Sequence, residues 1–567
     1  MPPVRHHGVP DRLVQIQPRR RGPRRDPARL GAPSWSFRWN WAVVLLALVV
    51  AAPVMAVFIN ALEPRWEVWR HLFQTRLAAL SLNTLALLAG VAVGAGTLGV
   101  TLGWLVAVHR FPGRAFFEWA LVLPLAMPAY VYGFIMIAVF DFTGPVQGWM
   151  RATFGAGAGI PDVRSWWGIV LTMSLVFYPY VYLLTRAAFA ERGVAMVEAA
   201  RSLGQTQRSA FWRLALPLAR PALASGLALA LMEALADFGT VSMFSYDTFT
   251  TAVYRVWFGM MDRTAAGQIA VVLVLFAAIL VVLERAARRG AVYSVSDARR
   301  TAPMETPRHT RWLATATCSA VLGVAFVLPT VMLVTWSVRA ARAGAIAATY
   351  PALVRNTLVV ALAAAALTLS AALVLGYATR QARSRKLRAL TTVALLGYAV
   401  PGSVVAVGVL LVLTQLDGLI RAVAGVSPGL LLTSSVGALL FAYMVRFVAA
   451  AYYPVQAGLS RIPLTMDESA RSLGASPGRI VREVHVPLLR GSLVAAAILV
   501  VVEVLKELPA TMLIRPFGFE TLAVEVWQRT NDAMWMEAAP PSLAIVVMGA
   551  LLVGWLTRAG ARRNVLS

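Results

Sequence analysis

Apolar runs of about 20 residues recur along this chain, and they restrict its fold more than any other feature. "WAVVLLALVVAAPVMAVFINAL" (41–62) and "LLGYAVPGSVVAVGVLLVLTQL" (395–416) are two of them. A helix of about 20 apolar residues spans the hydrocarbon core of a bilayer, and in lipid a helix satisfies its own backbone hydrogen bonds. Charged residues make up only 14% of the 567, against about 25% in soluble domains. The chain therefore reads as an all-α polytopic membrane protein. Twelve spans are expected, near 41–60, 78–108, 115–140, 166–188, 217–242 and 267–286, then 313–337, 356–379, 388–415, 430–457, 487–510 and 541–558. The first run is too long for a signal-peptide core and reads as an uncleaved helix.

The net charge of +26 would suggest nucleic acid in a soluble protein. Here the basic clusters "RRRGPRRDPARL", "RQARSRKLR" and "RAGARR" each flank an apolar run. That is the positive-inside pattern, and it places both termini in the cytoplasm of a cell whose plasma (inner) membrane the chain crosses many times. No basic domain is long enough to bind nucleic acid. The single cysteine, Cys318, forms no internal disulfide and reads as a small apolar helix residue.

A polar, basic, proline-bearing stretch at 287–312 divides the chain. The expected layout is a cytoplasmic basic arm (1–40), a first half (41–286), this linker, a second half (313–558) and a cytoplasmic tail (559–567). The halves repeat. "EAARSLG" at 198–204 returns as "ESARSLG" at 468–474, an offset of 270. At that offset Pro217 matches Pro487, Glu233 matches Glu503, Asp237 matches Glu507 and Trp257 matches Trp527; at 273, Asn83 matches Asn356 and Pro128 matches Pro401. Six spans in each half give both the same orientation, so these are parallel repeats about an axis along the membrane normal.

Each repeated phrase falls in a cytoplasmic loop, at 194–217 and 464–487. Gly204 and Gly474 stand where a helix stops in a left-handed residue. Thr206 and Ser476 stand where the next helix wants an N-cap, and Pro477 follows at a first helical position. Each loop is expected to be a short helix, a break and a second short helix joining a span. Ala199, Ala200, Ser469 and Ala470 would leave a close-approach surface, with Glu198 and Glu468 as fixed charges beside it. A compact knob of this kind suits a groove on another protein.

This pattern resembles the EAA loop of ABC importer permeases. The resemblance covers about 80–285 and 355–558 and implies the type I ABC importer permease fold. It implies that each loop docks into one copy of a cytoplasmic ABC ATPase, and that a substrate-binding protein delivers cargo to the outer face. Ser469, where the family most often has Ala, and His485 in the aliphatic stretch depart from the pattern without a large change of size. No G-x-x-x-x-G-K-[ST] phosphate loop occurs. The chain is thus expected to be a transport permease rather than an enzyme, with no cofactor of its own; ATP and Mg would be used by the partner.

Ionisable residues inside spans are costly and mark pathways or gates. Glu233 and Asp237, four apart, are expected on one helix face, and so are Glu503 and Glu507; Lys506 has no basic counterpart, because Ala236 stands in its place. Four carboxylates would line a central cavity, as pathway or gate, with direct ligation of a hard cation the weaker alternative. No firm metal ligands emerge. "ADFGTVSMF", and more tellingly "KELPAT", look like the fused permeases of ferric iron importers. Permeases for thiamine, sulfate, polyamines and phosphonates share the loop. A gradient-driven transporter of the major facilitator type also has two parallel six-span halves, but it does not call for matched glycine-break loops.

Overall fold

The computed structural model describes residues 35–62, 66–288, 303–305, 307–381, 385–425 and 431–566. Most of the basic arm, the middle of the linker and Ser567 lie outside the described residues. Among the described residues the chain is helical, and its one extended pairing is an isolated bridge between His109 and Met304. Among the described residues eleven helices are long and apolar enough to cross a membrane, and a bent pair, Gln207–Leu218 with Arg220–Ala236 at 67°, counts as a twelfth when taken as one span.

Two long helices form the spine of each half. In the first, Leu77–Val108 packs along Trp166–Ser202. Gly90, Gly94, Gly99 and Gly103 face that partner, and a Cβ on Gly94 or Gly99 would lie 2.1 Å from Ser174 Oγ or 2.5 Å from Val181 Cβ. Without a hydrophobic driving force between helices in lipid, such close backbone contact supplies the packing energy. The second half repeats the pair as Tyr350–Gln381 against Val436–Ser460. There Ala363, Leu367 and Ala372 replace three of the glycines and Gly376 keeps the fourth. The repeat extends to single hydrogen bonds. Asn83 Nδ2 donates to the Asp247 carbonyl at 3.0 Å, and Asn356 Nδ2 to the equivalent Glu520 carbonyl at 3.2 Å.

The first helix of each half crosses to the other half. Trp35–Asn60 packs against Arg385–Leu395 and Gly402–Ala424. There Gly408 admits the Pro53 carbonyl, whose oxygen lies 2.2 Å from where a Cβ would stand. Residues 308–342 lie reciprocally across the first half. Thr315 Oγ1 donates to the Pro112 carbonyl (3.1 Å) and Tyr132 Oη to the Val324 carbonyl (3.1 Å).

Several expected spans are broken. The run at 115–140 is split into Arg114–Ala120, a 3₁₀ turn Leu123–Ala126, and Ala129–Phe140. Pro128 is the reason: it restricts Met127 to an extended conformation, which ends the turn before it. Pro401 does the same to Val400 in the second half. The spans expected at 217–242 and 487–510 stop at Ala236 and Leu505 and resume as the short helices Gly239–Met243 and Pro509–Ile514. These two breaks position the central site.

Candidate functional site

The two repeated loops lie at one end of the bundle with closely matching backbones. Gly204 has φ +75° and Gly474 φ +79°, the left-handed conformation glycine adopts without strain. In both, the amide three positions past the helix returns to a carbonyl five residues back: Gln205 to Ala200 at 2.9 Å and Ala475 to Ala470 at 3.0 Å. Thr206 Oγ1 then accepts from Ser209 N (3.2 Å) and Ser476 Oγ from Arg479 N (3.4 Å), capping the next helix. A π-turn follows each cap, at Phe211–Ala215 and Val481–His485, before the chain enters its span.

The loops differ from expectation in two ways. In the first half no separate short helix precedes the glycine, because Trp166–Ser202 runs unbroken from the membrane through Glu198; the second half does have one, Leu464–Ser472. The small residues also divide. Ala199 and Ser469 are exposed beside Glu198 and Glu468, but Ala200 is buried and Ala470 half-buried. The outward knob is completed instead by Leu203 and Leu473, 80% and 86% exposed. Each loop thus leaves one large apolar side chain open beside a fixed charge.

What holds each loop to its half also differs. Behind the first, Trp104 meets Phe189 and Phe211 edge-to-face at 5.2 and 4.9 Å, with Val197 and Ala200 in the same buried cluster. Gln207 Nε2 and His109 Nε2 are hydrogen-bonded at 2.7 Å. Burial holds the His109 pKa below its ordinary value. Behind the second, Asp467 is buried between Arg380 (3.3 Å) and His485 Nε2 (2.8 Å), and Tyr377 stacks on the His485 ring.

At the core of the bundle, Glu233, Asp237, Glu503, Lys506 and Glu507 line one central cavity of about 60 Å³. Asp237 and Glu507 do not share a helix face with Glu233 and Glu503, because each lies just past its helix, in the break. There they act as caps. Asp237 accepts from Thr240 N (2.7 Å) and Oγ1 (2.9 Å). Glu507 accepts from Ala510 N and Thr511 N, both at 3.1 Å. The span breaks and resumes over a carboxylate in both halves.

A sixth charge, Arg446, was not among the expected site residues. It stands on Val436–Ser460, 8% exposed, and its Nη1 donates to Glu507 Oε1 at 2.8 Å. Gly402 makes room for the pair, since a Cβ there would lie 1.8 Å from Arg446 Nη1; the first half has Ala129 at that place and Val176 in place of the arginine. A lone arginine inside an apolar run demands an acidic partner, and that rule was the available signal. Lys506 pairs with Glu503 at 3.0 Å. With four acids and two bases, the cavity carries a formal charge of −2.

An aromatic plug closes the cavity toward the end opposite the loops. Phe238 stacks on Tyr254 with centroids 3.6 Å apart and approaches Trp527 at 5.9 Å. Tyr254 Oη donates to the Pro509 carbonyl of the other half. Beyond the plug opens a recess of about 620 Å³ lined by Arg76, Asp247, Arg255, Met512 and Trp527. Charged cavity, plug and recess lie in sequence between the two halves.

Paired loops at one end and a closed polar path between two repeated bundles define a membrane permease. The profile of the family described as "Binding-protein-dependent transport system inner membrane component" matches residues 99–289 and again 369–562, and the chain belongs to that family. It is 27% identical over 518 residues to the Fe(3+)-transport system permease protein FbpB 2 of Haemophilus influenzae, covering 90% of this chain and 96% of that one. It is 30% identical over 213 residues to the sulfate transport system permease protein CysT of Synechococcus elongatus, 37% of this chain and 74% of that one. The CysW sulfate permease of Synechocystis is 29% identical over 250 residues, 43% and 88%. The sulfate permeases thus match about one half of this chain, whereas the iron permease matches both.

Proposed function

We propose that this chain is the entire transmembrane pathway of an ATP-driven importer whose cargo is ferric iron. The carrying observation is the similarity, over 90% of this chain, to an Fe(3+)-transport system permease protein, together with a central cavity of formal charge −2. The charge separates the two cargoes suggested by the relatives. A unit-charge pair about 4 Å apart is worth ~4 kcal/mol at an effective dielectric of 20, so an anion such as sulfate would be opposed where a cation is drawn in. The basic flanks support an orientation with the loop end and both termini in the cytoplasm.

Each knob, Glu198–Ala199–Leu203 and Glu468–Ser469–Leu473, docks in one of two ATPase copies. A binding protein delivers cargo at the recess end. Closure of the ATPases on ATP pulls both loops together and rocks the halves, which parts the Phe238–Tyr254 plug and admits cargo to the cavity. Hydrolysis then resets the cavity toward the cytoplasm.

The test is reconstitution with the cognate ATPase and binding protein. Ferric-loaded binding protein is expected to stimulate ATP hydrolysis several-fold over sulfate-loaded or thiamine-loaded protein. Equal or absent stimulation by the ferric form refutes the cargo. Leu203→Asp with Leu473→Asp should abolish stimulation by any loaded binding protein; full stimulation in that double variant refutes the docking assignment.

A further inference from the structure

The four carboxylates of the central cavity are not equivalent. Those of the second half are already matched to cations: Glu507 to Arg446 at 2.8 Å and Glu503 to Lys506 at 3.0 Å. Those of the first half make no ion pair among the described residues, although Lys506 and Arg446 stand near enough to act on the Glu233 charge. Asp237 receives its hydrogen bonds from its own cap, Thr240 N and Oγ1 with the Val241 amide beside them, and from no cation among the described residues. Glu233 has no hydrogen bond or ion pair among the described residues. A third oxygen stands with them. Tyr130 lines the same cavity and is 3% exposed, and its hydroxyl is buried without a partner. A buried hydroxyl left unpaired costs on the order of 1–3 kcal/mol, and its surroundings include the charges of Asp237 and Glu507. One wall of the cavity therefore presents three oxygen groups with spare capacity, and the facing wall carries its own cations.

We propose that Glu233, Asp237 and the Tyr130 hydroxyl form a transit site for a hard, highly charged cation; as the place where cargo pauses, this rests on the importer reading above. Oxygen-only donors, two of them anionic, are the chemistry that hard cations select and that soft or imidazole-seeking metals do not. Arg446 and Lys506 hold Glu507 and Glu503 out of the coordination, so the ion meets two carboxylates rather than four. Among the described residues no three acids or imidazoles are already gathered around one point, so the ion keeps part of its water and is held loosely. A volume of about 60 Å³ against the ~10–15 Å³ that one water needs leaves space for the ion and a few waters. A pump gains from such looseness, because a site that bound tightly would not release inward.

The experiment uses the full-length permease in nanodiscs with Tb³⁺, a hard trivalent probe whose emission is sensitised by nearby aromatic rings. Neither ATPase nor binding protein is present, so failure of ferric-loaded binding protein to stimulate ATP hydrolysis would sink the cargo reading and leave this measurement standing. Glu233→Gln, which breaks no hydrogen bond or ion pair among the described residues, is the deciding variant. The expected result is at least a tenfold weaker affinity for the sensitised Tb³⁺ component in Glu233→Gln, weakened emission in Tyr130→Phe, and less than a twofold change in Glu503→Gln. Equal weakening at Glu233 and Glu503, or no weakening at Glu233, overturns the proposal.

Discussion

Behind the first loop stand Trp104, Phe189, Phe211 and Val197; behind the second, at matching places, stand Tyr377, Leu459, Val481 and Asp467. Ala107 and Ala215 of the first half become Arg380 and His485 in the second. One loop is thus anchored by apolar surface and aromatic edges, the other by a buried charge network, although the glycine break and cap are the same. Apolar anchoring is non-directional and weakens in proportion to the area removed. A buried ionic anchor fixes one geometry, and it fails abruptly when one member is lost, because an uncompensated charge remains. The same backbone can be held by either means.

The comparison is broken most severely by removing one anchor. Asp467→Ala leaves Arg380 and His485 without their acid and should cost about 3–5 kcal/mol, read as a fall in melting temperature of the permease in nanodiscs. Trp104→Ala should cost a similar ~3–5 kcal/mol through its cavity. The two part company on repair. Copying the first half into the second, as Arg380→Ala, Asp467→Val and His485→Ala together, should return stability to within ~1–2 kcal/mol of the parent, since replacing a whole buried network by apolar groups is often neutral. A triple variant as unstable as Asp467→Ala would show that the ionic anchor does more than hold the loop.

Smaller effects sharpen the likeness. Gly204→Ala and Gly474→Ala meet no neighbouring atom, so their cost is the left-handed backbone alone, about 1–2 kcal/mol and equal in the two halves. The double variant should insert normally yet lose cargo-stimulated ATP hydrolysis, and normal uptake would separate the glycines from coupling. The smallest effect is in pH. Burial depresses the His109 pKa, so the unfolded chain binds the proton more readily than the folded one. That contribution is intact above about pH 6.5 and shrinks as pH falls through the window below it. His109→Gln should flatten the melting temperature over that window without altering it at pH 8.

Much of this arrangement was legible in the chain. Period and length expose the spans, and the repeat exposes the glycine break, because both are local. Thr206 and Ser476 could be placed as caps from their distance to the glycine. Arg446 could not be paired with Glu507, which lies 61 residues away on another helix. The inward turn of Ala200 depends on Trp166–Ser202 continuing past the membrane, and Pro179 inside that helix argues the other way. Asp237 and Glu507 were seen as acids of a helix face because their four-residue spacing fits one. Their role as caps became visible only once the helices were known to stop at Ala236 and Leu505. The crossing of each first helix to the opposite half leaves no local trace at all.

The two walls of the cavity also bear on which partners each half can take. Two first halves facing each other would gather four acids and no base. Two second halves would gather four acids with two copies each of Arg446 and Lys506, and no net charge. Only the mixed pair arrives at −2. A short covalent join keeps the mates at an effective concentration in the millimolar range, so each half meets its complement and is spared its own kind. Fusion of this sort frees the walls to diverge, since neither has to tolerate its own reflection.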